Sequence, residues 1–332
     1  MKTIIKSVLL SAAVIFLIAS PASAKKLKFA YVMHDLPEGI FWNTVYDGMK
    51  KACADLDSMD HLEVECEMVG TPYNVVNQVN NLRAVIGSGV DGIVSTIIDD
   101  EKMDAVFQEA LDRGIPIISA NTDDAKGSDG NPRLAYVGSN LYNAGYDLCV
   151  AAVALVPEGP IHALLGHNDV TQNFAIQRNA GHEDCLKDFA AANPDREVSW
   201  EVIEITMDGP TIQSRVGAYI MSEPKTNIYL ETGIWHLHVS QTLEEMGKQP
   251  GEIILAGYGA YSSLISRMKE GWVQLTNDQG AWLQGYLPII QLYLIDMGFQ
   301  PFDVQTDSAL NGVITEEIAK DLDVESPRIW KM

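Results

Sequence analysis

Several motifs of common enzyme chemistry are missing from this 332-residue sequence. Neither GxGxxG nor GxxxxGKS/T follows the first strand-like segment, so no loop there is built to cradle a phosphate. Gly257-Tyr258-Gly259 is a fragment that opens no such fingerprint. GxSxG and HExxH are also absent, which removes a serine nucleophile elbow and a helical zinc pair. His236-Leu237-His238 has i, i+2 spacing, which splays two rings apart on a helix. Only four cysteines occur (Cys53, Cys66, Cys149 and Cys185), with no CxxC pair and no zinc spacing, so no structural metal or cofactor is expected. Basic residues are scarce, 23 Lys and Arg against 45 Asp and Glu, for a net charge of −22. Such a surface repels phosphate backbones and excludes nucleic acid as a partner. No apolar run beyond the first 24 residues approaches the roughly 20 needed to cross a bilayer.

The N-terminus carries an export signature. Lys2 and Lys6 form a basic start, Ser7–Ala19 is apolar, and Ala22-Ser23-Ala24 offers small residues for cleavage. The apolar run is too short to span a membrane. The expectation is cleavage after Ala24 and residence in the periplasm. No cysteine follows the apolar run, so lipid attachment is not expected. Residues 25–332 exceed one typical domain and favour two lobes. An exported chain tolerates disulfides but, at this length, does not require them. Cys53 lies on an apolar helical stripe with Val45, Met49 and Leu56, and Cys66 alternates with Val64 and Met68. The two thiols either pair or stay buried and free.

From Lys28 the pattern alternates strand and helix. Strands are expected at Lys28–Met33, Leu62–Val69, Gly92–Thr96 and Ile115–Ala120, with helices at Trp42–Leu56, Asn74–Ile86 and Lys102–Arg113. Leu62–Val69 interleaves apolar residues with Glu63, Glu65 and Glu67, as an edge strand with one wet face does. A second block repeats the rhythm from Tyr142 to Thr276, followed by a long apolar helix over Leu283–Met297 and a loop-rich tail. The fold class is α/β, two doubly wound parallel sheets. No Pro-, Gly- or Ser-rich linker separates the blocks, which suits lobes joined by short direct crossings.

Open parallel sheets bind ligands beyond the carboxyl ends of their strands. Those positions run through His34–Trp42, Ser95–Asp100, Asn121–Asp123, Ser139–Tyr142, His167–Asn173, Thr206–Asp208, Glu231–Trp235, Tyr258–Tyr261 and Asn277–Trp282. Asn, Asp, Gln, Tyr and Trp dominate them. Amides bridge neighbouring hydroxyls, and aromatic rings cover the C–H faces of a sugar. A single Asn in such a loop is more often a turn or helix cap, so the weight lies in the collection. The acidic pairs Asp99-Asp100 and Asp123-Asp124 read as solvated loop carboxylates, and catalysis is not expected.

Phe41-Trp42 with Asp47-Gly48, the run from Gly89 through Gly114-Ile115-Pro116 to Asn121-Thr122, Val137-Gly138-Ser139-Asn140 with Gly145, Arg178 with Gly181, and Asp278-Gln279 with Gln284-Gly285-Tyr286 occur in this order. With them the chain resembles the type 1, ribose-binding-protein-like family of periplasmic sugar-binding proteins of ABC transporters. The resemblance implies two lobes joined by three crossings, near Asn140, Gln279 and Asp303–Asp307. One lobe would hold 25–139 plus 280–305, the other 140–279 plus 306–332, after a leader of 1–24. It also implies Phe41 and Trp42 as the stacking pair, with Asn121, Asn140, Arg178, Thr232, Tyr258 and Gln279 as further ligand contacts. Phe41 and Trp42 otherwise read as a hydrophobic staple, and Arg178 as a surface ion pair.

The chain departs from the family pattern where Gly259 follows Tyr258 and where Asn121 stands, both positions at which an aspartate is usual. Asp35, Asp99, Asp208 or Glu231 are the candidates to restore a carboxylate. The ligand expected is a small sugar or polyol, with modified or acidic sugars open, and the partner an ABC-transporter permease serving a monomeric binder. A chemoreceptor or sensor partner, with a furanosyl signal as ligand, shares every feature used, whereas a sugar-modifying enzyme lacks its nucleophile and cofactor motifs.

Overall fold

A computed structural model describes residues 24–36, 39–299, 305–306, 312–324, 326 and 329. The export signal over residues 1–24 lies outside these apart from Ala24, and most of the crossing expected at Asp303–Asp307 lies outside them too.

The first block runs β1 (Lys25–Met33), α1 (Ile40–Asp57), β2 (Leu62–Gly70), α2 (Val75–Gly87), β3 (Gly92–Ser95), α3 (Asp104–Asp112), β4 (Ile117–Ala120) and β5 (Tyr136–Val137). The second runs α4 (Leu141–Ala154), β6 (Ile161–His167), α5 (Asn173–Ala192), β7 (Val198–Glu204), α6 (Gly209–Ser222), β8 (Ile228–Glu231), α7 (His236–Glu245), β9 (Ile254–Tyr258), α8 (Ser262–Lys269) and β10 (Leu275–Asn277). Then follow α9 (Ala281–Asp296), β11 (Gln305–Thr306), β12 (Val313–Thr315) and α10 (Glu316–Asp321).

The strands form two sheets in the same order, β2-β1-β3-β4-β5-β11 and β7-β6-β8-β9-β10-β12. Central strands such as β3 and β4 are buried along their whole length, as helices on both faces require. Strand β2 is an edge strand, with Leu62 and Val64 buried and Glu63 and Glu65 exposed, as its alternation predicts. The tail is more ordered than its loop-like composition suggests. It adds β11 to the first sheet in parallel and β12 to the second in antiparallel, the one antiparallel ladder among the described residues.

The chain passes between sheets after β5, after β10 and after β11. Helix α9 therefore returns to the first lobe and packs on α1, while α4 packs on α5 in the second. Both pairs depend on glycine. A Cβ on Gly285 would sit 1.8 Å from the Val45 carbonyl oxygen, and one on Gly48 2.0 Å from that of Trp282. In the other lobe, a Cβ on Gly145 would lie 2.2 Å from the Arg178 carbonyl, and one on Gly181 2.3 Å from that of Tyr142. All four distances lie inside van der Waals contact, so the helices meet backbone to backbone. Disulfides decide the thiol question: Cys53–Cys66 ties α1 to β2, and Cys149–Cys185 ties α4 to α5, with Cα separations of 6.3 and 6.2 Å.

Candidate functional site

The carboxyl ends of the two sheets face each other across a cleft that holds an open cavity of about 390 Å³. The first lobe lines it with His34 and Asp35 after β1, Phe41 and Trp42 in the first turn of α1, Tyr73 after β2 and Asn121 after β4. The second lobe contributes Phe174 and Arg178 from α5, Met207 after β7 and Gly233–Trp235 after β8, and Gln279 stands at the crossing.

The first wall is held by ring edges. Trp42 meets Phe41 at 5.0 Å, His34 at 5.2 Å and Tyr31 at 6.3 Å between ring centroids, each close to perpendicular. His34 Nδ1 lies 2.8 Å from Thr96 Oγ1, and Gln78 Nε2 donates to the Thr96 carbonyl at 2.8 Å. Burial pushes the His34 imidazole down to about 3, so this ring is neutral at physiological pH. Asn121 adopts φ 67°, a left-handed conformation that asparagine tolerates better than most residues. Its carbonyl accepts from the Tyr136 hydroxyl at 2.9 Å.

The second wall is organised around a buried cation. Arg178 is 3% exposed. Its Nη1 donates to the Thr232 carbonyl at 2.8 Å and its Nη2 to Gln279 Oε1 at 2.6 Å. The guanidinium carbon lies 3.7 Å from the centroid of the Tyr258 ring. Burial lowers the Arg178 pKa from its ordinary value, although an arginine remains charged. Gln284 links the walls: its Oε1 accepts from Asn121 Nδ2 at 3.1 Å, and its Nε2 donates to the Gln279 carbonyl at 2.7 Å. A continuous polar chain thus runs Asn121–Gln284–Gln279–Arg178–Thr232 across the crossing.

Of the eight expected contacts, Phe41, Trp42, Asn121, Arg178 and Gln279 come together on the cavity, and three stand off it. Asn140 is exposed and caps α4, its Oδ1 accepting the Asn143 N–H at 2.9 Å, because the crossing turns straight into the helix there. Thr232 is fully buried, its hydroxyl bonded to Asn168 Oδ1 at 2.9 Å, so only its carbonyl serves the site, through Arg178. Tyr258 lies beneath the guanidinium as its platform.

Two lining aromatics, Tyr73 and Phe174, were outside the expected loops; the strand-end rule carried one position further, and applied to the edge strand β2, reaches both. They face each other across the cleft at 6.4 Å. Among the four carboxylate candidates only Asp35 lines the cavity. Asp99 pairs with Lys102, and Asp208 caps α6. Glu231 is buried below the Gly233–Trp235 loop, accepting from the Tyr229 hydroxyl at 2.9 Å and from the Trp235 N–H. Gly259 has φ 101°, a conformation closed to an aspartate side chain, which explains the missing carboxylate after Tyr258.

Residues 29–296 match the family described as periplasmic binding protein domain. A xylose/arabinose-binding protein, XylF, of Sulfolobus acidocaldarius is 27% identical over 300 residues, 85% of this chain and 70% of that protein. The periplasmic sugar-binding protein of an ABC sugar transporter from Legionella pneumophila superposes with a TM-score of 0.74 at 24% identity, covering 85% of this chain and 99% of the other. An ABC-transporter solute-binding protein from Agrobacterium vitis, bound to α-D-tagatopyranose, gives 0.77 at 20% identity, covering 92% and 99%. The family match spans both lobes and the helices that lock them, and the chain belongs to the periplasmic binding protein domain family.

Proposed function

We propose that this chain captures a small sugar or sugar-like polyol between its lobes and presents it to the permease of an ABC transporter. The observation that carries this reading is the cavity lined from both lobes by aromatic rings and hydrogen-bonding side chains. Its volume falls in the range of about 300–1,000 Å³ common for small-molecule sites. Phe41, Trp42, Tyr73 and Phe174 cover C–H faces, while Asp35, Asn121, Arg178 and Gln279 address hydroxyls. A hinge at the three crossings lets the ligand select the closed form, in which both lobes contact it. The relatives named above are binding proteins for sugars. Among the described residues no serine, threonine, cysteine or lysine lines the cavity. The reading is capture without turnover, after export and loss of the leader.

Thermal shift followed by calorimetry over pentoses, hexoses, polyols, sugar acids and furanosyl signals tests the proposal. A stabilising, micromolar or tighter sugar is the expected result. Failure of the whole panel, or conversion of a bound sugar to product, overturns it.

A further inference from the structure

Among the described residues two arginines are buried, and the fold treats them differently. Arg133 is 7% exposed and forks onto a single carboxylate, its Nε donating to Asp123 Oδ1 at 2.7 Å and its Nη2 to Asp123 Oδ2 at 2.6 Å. A buried guanidinium is ordinarily accommodated in this way. Arg178 is more deeply buried, yet its acceptors, a carbonyl and an amide oxygen, are both neutral. Its Nε–H has no acceptor among the described residues, and no described carboxylate stands within ion-pair distance. The titratable rings beside it supply no negative charge. His182 is held neutral by burial, and burial raises the Tyr258 phenol far above the physiological range. Leaving a desolvated charge uncompensated is costly, and here the charge borders the cavity in which the ligand would sit.

Resting on the sugar-binding reading of the same cavity, we propose that the ligand is a sugar acid whose carboxylate completes the Arg178 site. Asp35, on the opposite wall, then receives hydroxyls from the other end of the molecule, which fixes its orientation. The net negative charge of the protein does not oppose this, since exposed charges are screened beyond about 8–10 Å while the buried cation is not. The aromatic wall gives such a ligand the same C–H contacts as a neutral sugar, so discrimination lies with the arginine.

Calorimetry on the full-length mature protein with D-galacturonate, D-glucuronate and D-galactonate, each against a neutral counterpart (D-galactose, D-glucose and galactitol), reads this directly. At least one acid is expected to bind on the order of 100-fold more tightly than its counterpart, as loss of a desolvated charge pair implies. Its carboxamide should bind no better than the neutral sugar. The Arg178→Gln protein, checked for folding by its melting curve, should bring acid and neutral affinities to within a few-fold. Neutral sugars binding as tightly as the acids overturn the carboxylate proposal and leave the sugar-binding reading standing. Binding of neither class overturns both. The wild-type comparison decides even where the variant fails to fold.

Discussion

The two lobes share strand order, edge strands and a glycine-packed helix pair, but they make opposite walls. The first lobe presents rings packed edge to face around a neutral His34, continuous with its hydrophobic core. The second presents a cation hung from a carbonyl and an amide over the Tyr258 ring. Both walls grow from the same places in the topology, the strand ends and the first helix behind them. The architecture dictates where a wall stands, and a few residues at the strand ends decide its chemistry. In the first lobe those residues also belong to the core; in the second they cost stability that a ligand restores.

The largest expected effect separates these two roles. Trp42 is 3% exposed and packed into the core, so Trp42→Ala should lower the stability of the ligand-free protein by about 3–5 kcal/mol. Arg178→Met, by contrast, removes an uncompensated buried charge and should leave ligand-free stability unchanged or raised. Both should weaken ligand binding, by about 2–4 kcal/mol each. Denaturation curves with and without ligand measure all four quantities. A large loss of ligand-free stability in Arg178→Met would erase the distinction between the walls.

The disulfides rank the lobes next. Cys53–Cys66 closes 13 residues in the first lobe and Cys149–Cys185 closes 36 in the second. Loop-closure entropy assigns them about 3 and about 4 kcal/mol. Paired Cys→Ala variants should therefore differ by about 1 kcal/mol in denaturant midpoint energy, the second lobe losing more. The opposite order would mean that residual structure in the unfolded chain, not loop length, sets the balance.

Acid sharpens the contrast in a different way. Burial lowers His34 in the first lobe and His182 and His236 in the second to about 3 each. Their folded values lie below the unfolded 6.5, so each contributes stability present above pH 6.5 and lost as pH falls. Glu231 runs the other way: burial raises it to about 7 from 4.5, so it contributes stability present below pH 4.5 and lost as pH rises towards 7. Between pH 6.5 and 5 it offsets one histidine, at about 1.4 kcal/mol per pH unit. Glu231→Gln should then lose about 2 kcal/mol more than wild type over that interval, measured by urea denaturation at the two pH values. Parallel losses in the two proteins would show that Glu231 is already ionised when folded.

Much of this scaffold is readable from the sequence, because a buried parallel strand and an amphipathic helix leave local patterns. The two-residue strands β5 and β11 do not, since their pairing depends on residues far away in the chain. At the site, the resemblance marked Phe41, Trp42 and Arg178 as ligand contacts, and all three line the cavity. Asn140 was not, as a helix cap and a ligand contact call for the same side chain, and only the direction of the chain after the crossing distinguishes them. Thr232 and Tyr258 were expected as ligand contacts and stand beside the arginine instead; whether such residues face the cavity or hold the residue that does is a matter of depth, which strand-end position leaves undetermined.

The smallest effect concerns how the walls are brought together. Helix α5 carries Phe174 and Arg178 on the cavity, and from the same turns Asn173 and Gln177 reach the first lobe. Asn173 Nδ2 donates to the Ile97 carbonyl at 3.3 Å and bonds Asp100, and Gln177 Nε2 donates to the Asp123 carbonyl at 3.3 Å. These bonds exist only while the lobes touch, so they favour the closed form without contacting a ligand. Asn173→Ala should weaken binding by about 1 kcal/mol, the net worth of such a bond, through faster release and with the ranking of ligands unchanged. Stopped-flow release rates measure this. An altered ranking would place Asn173 among the ligand contacts, and an unchanged rate would mean that the lobes close on the ligand alone.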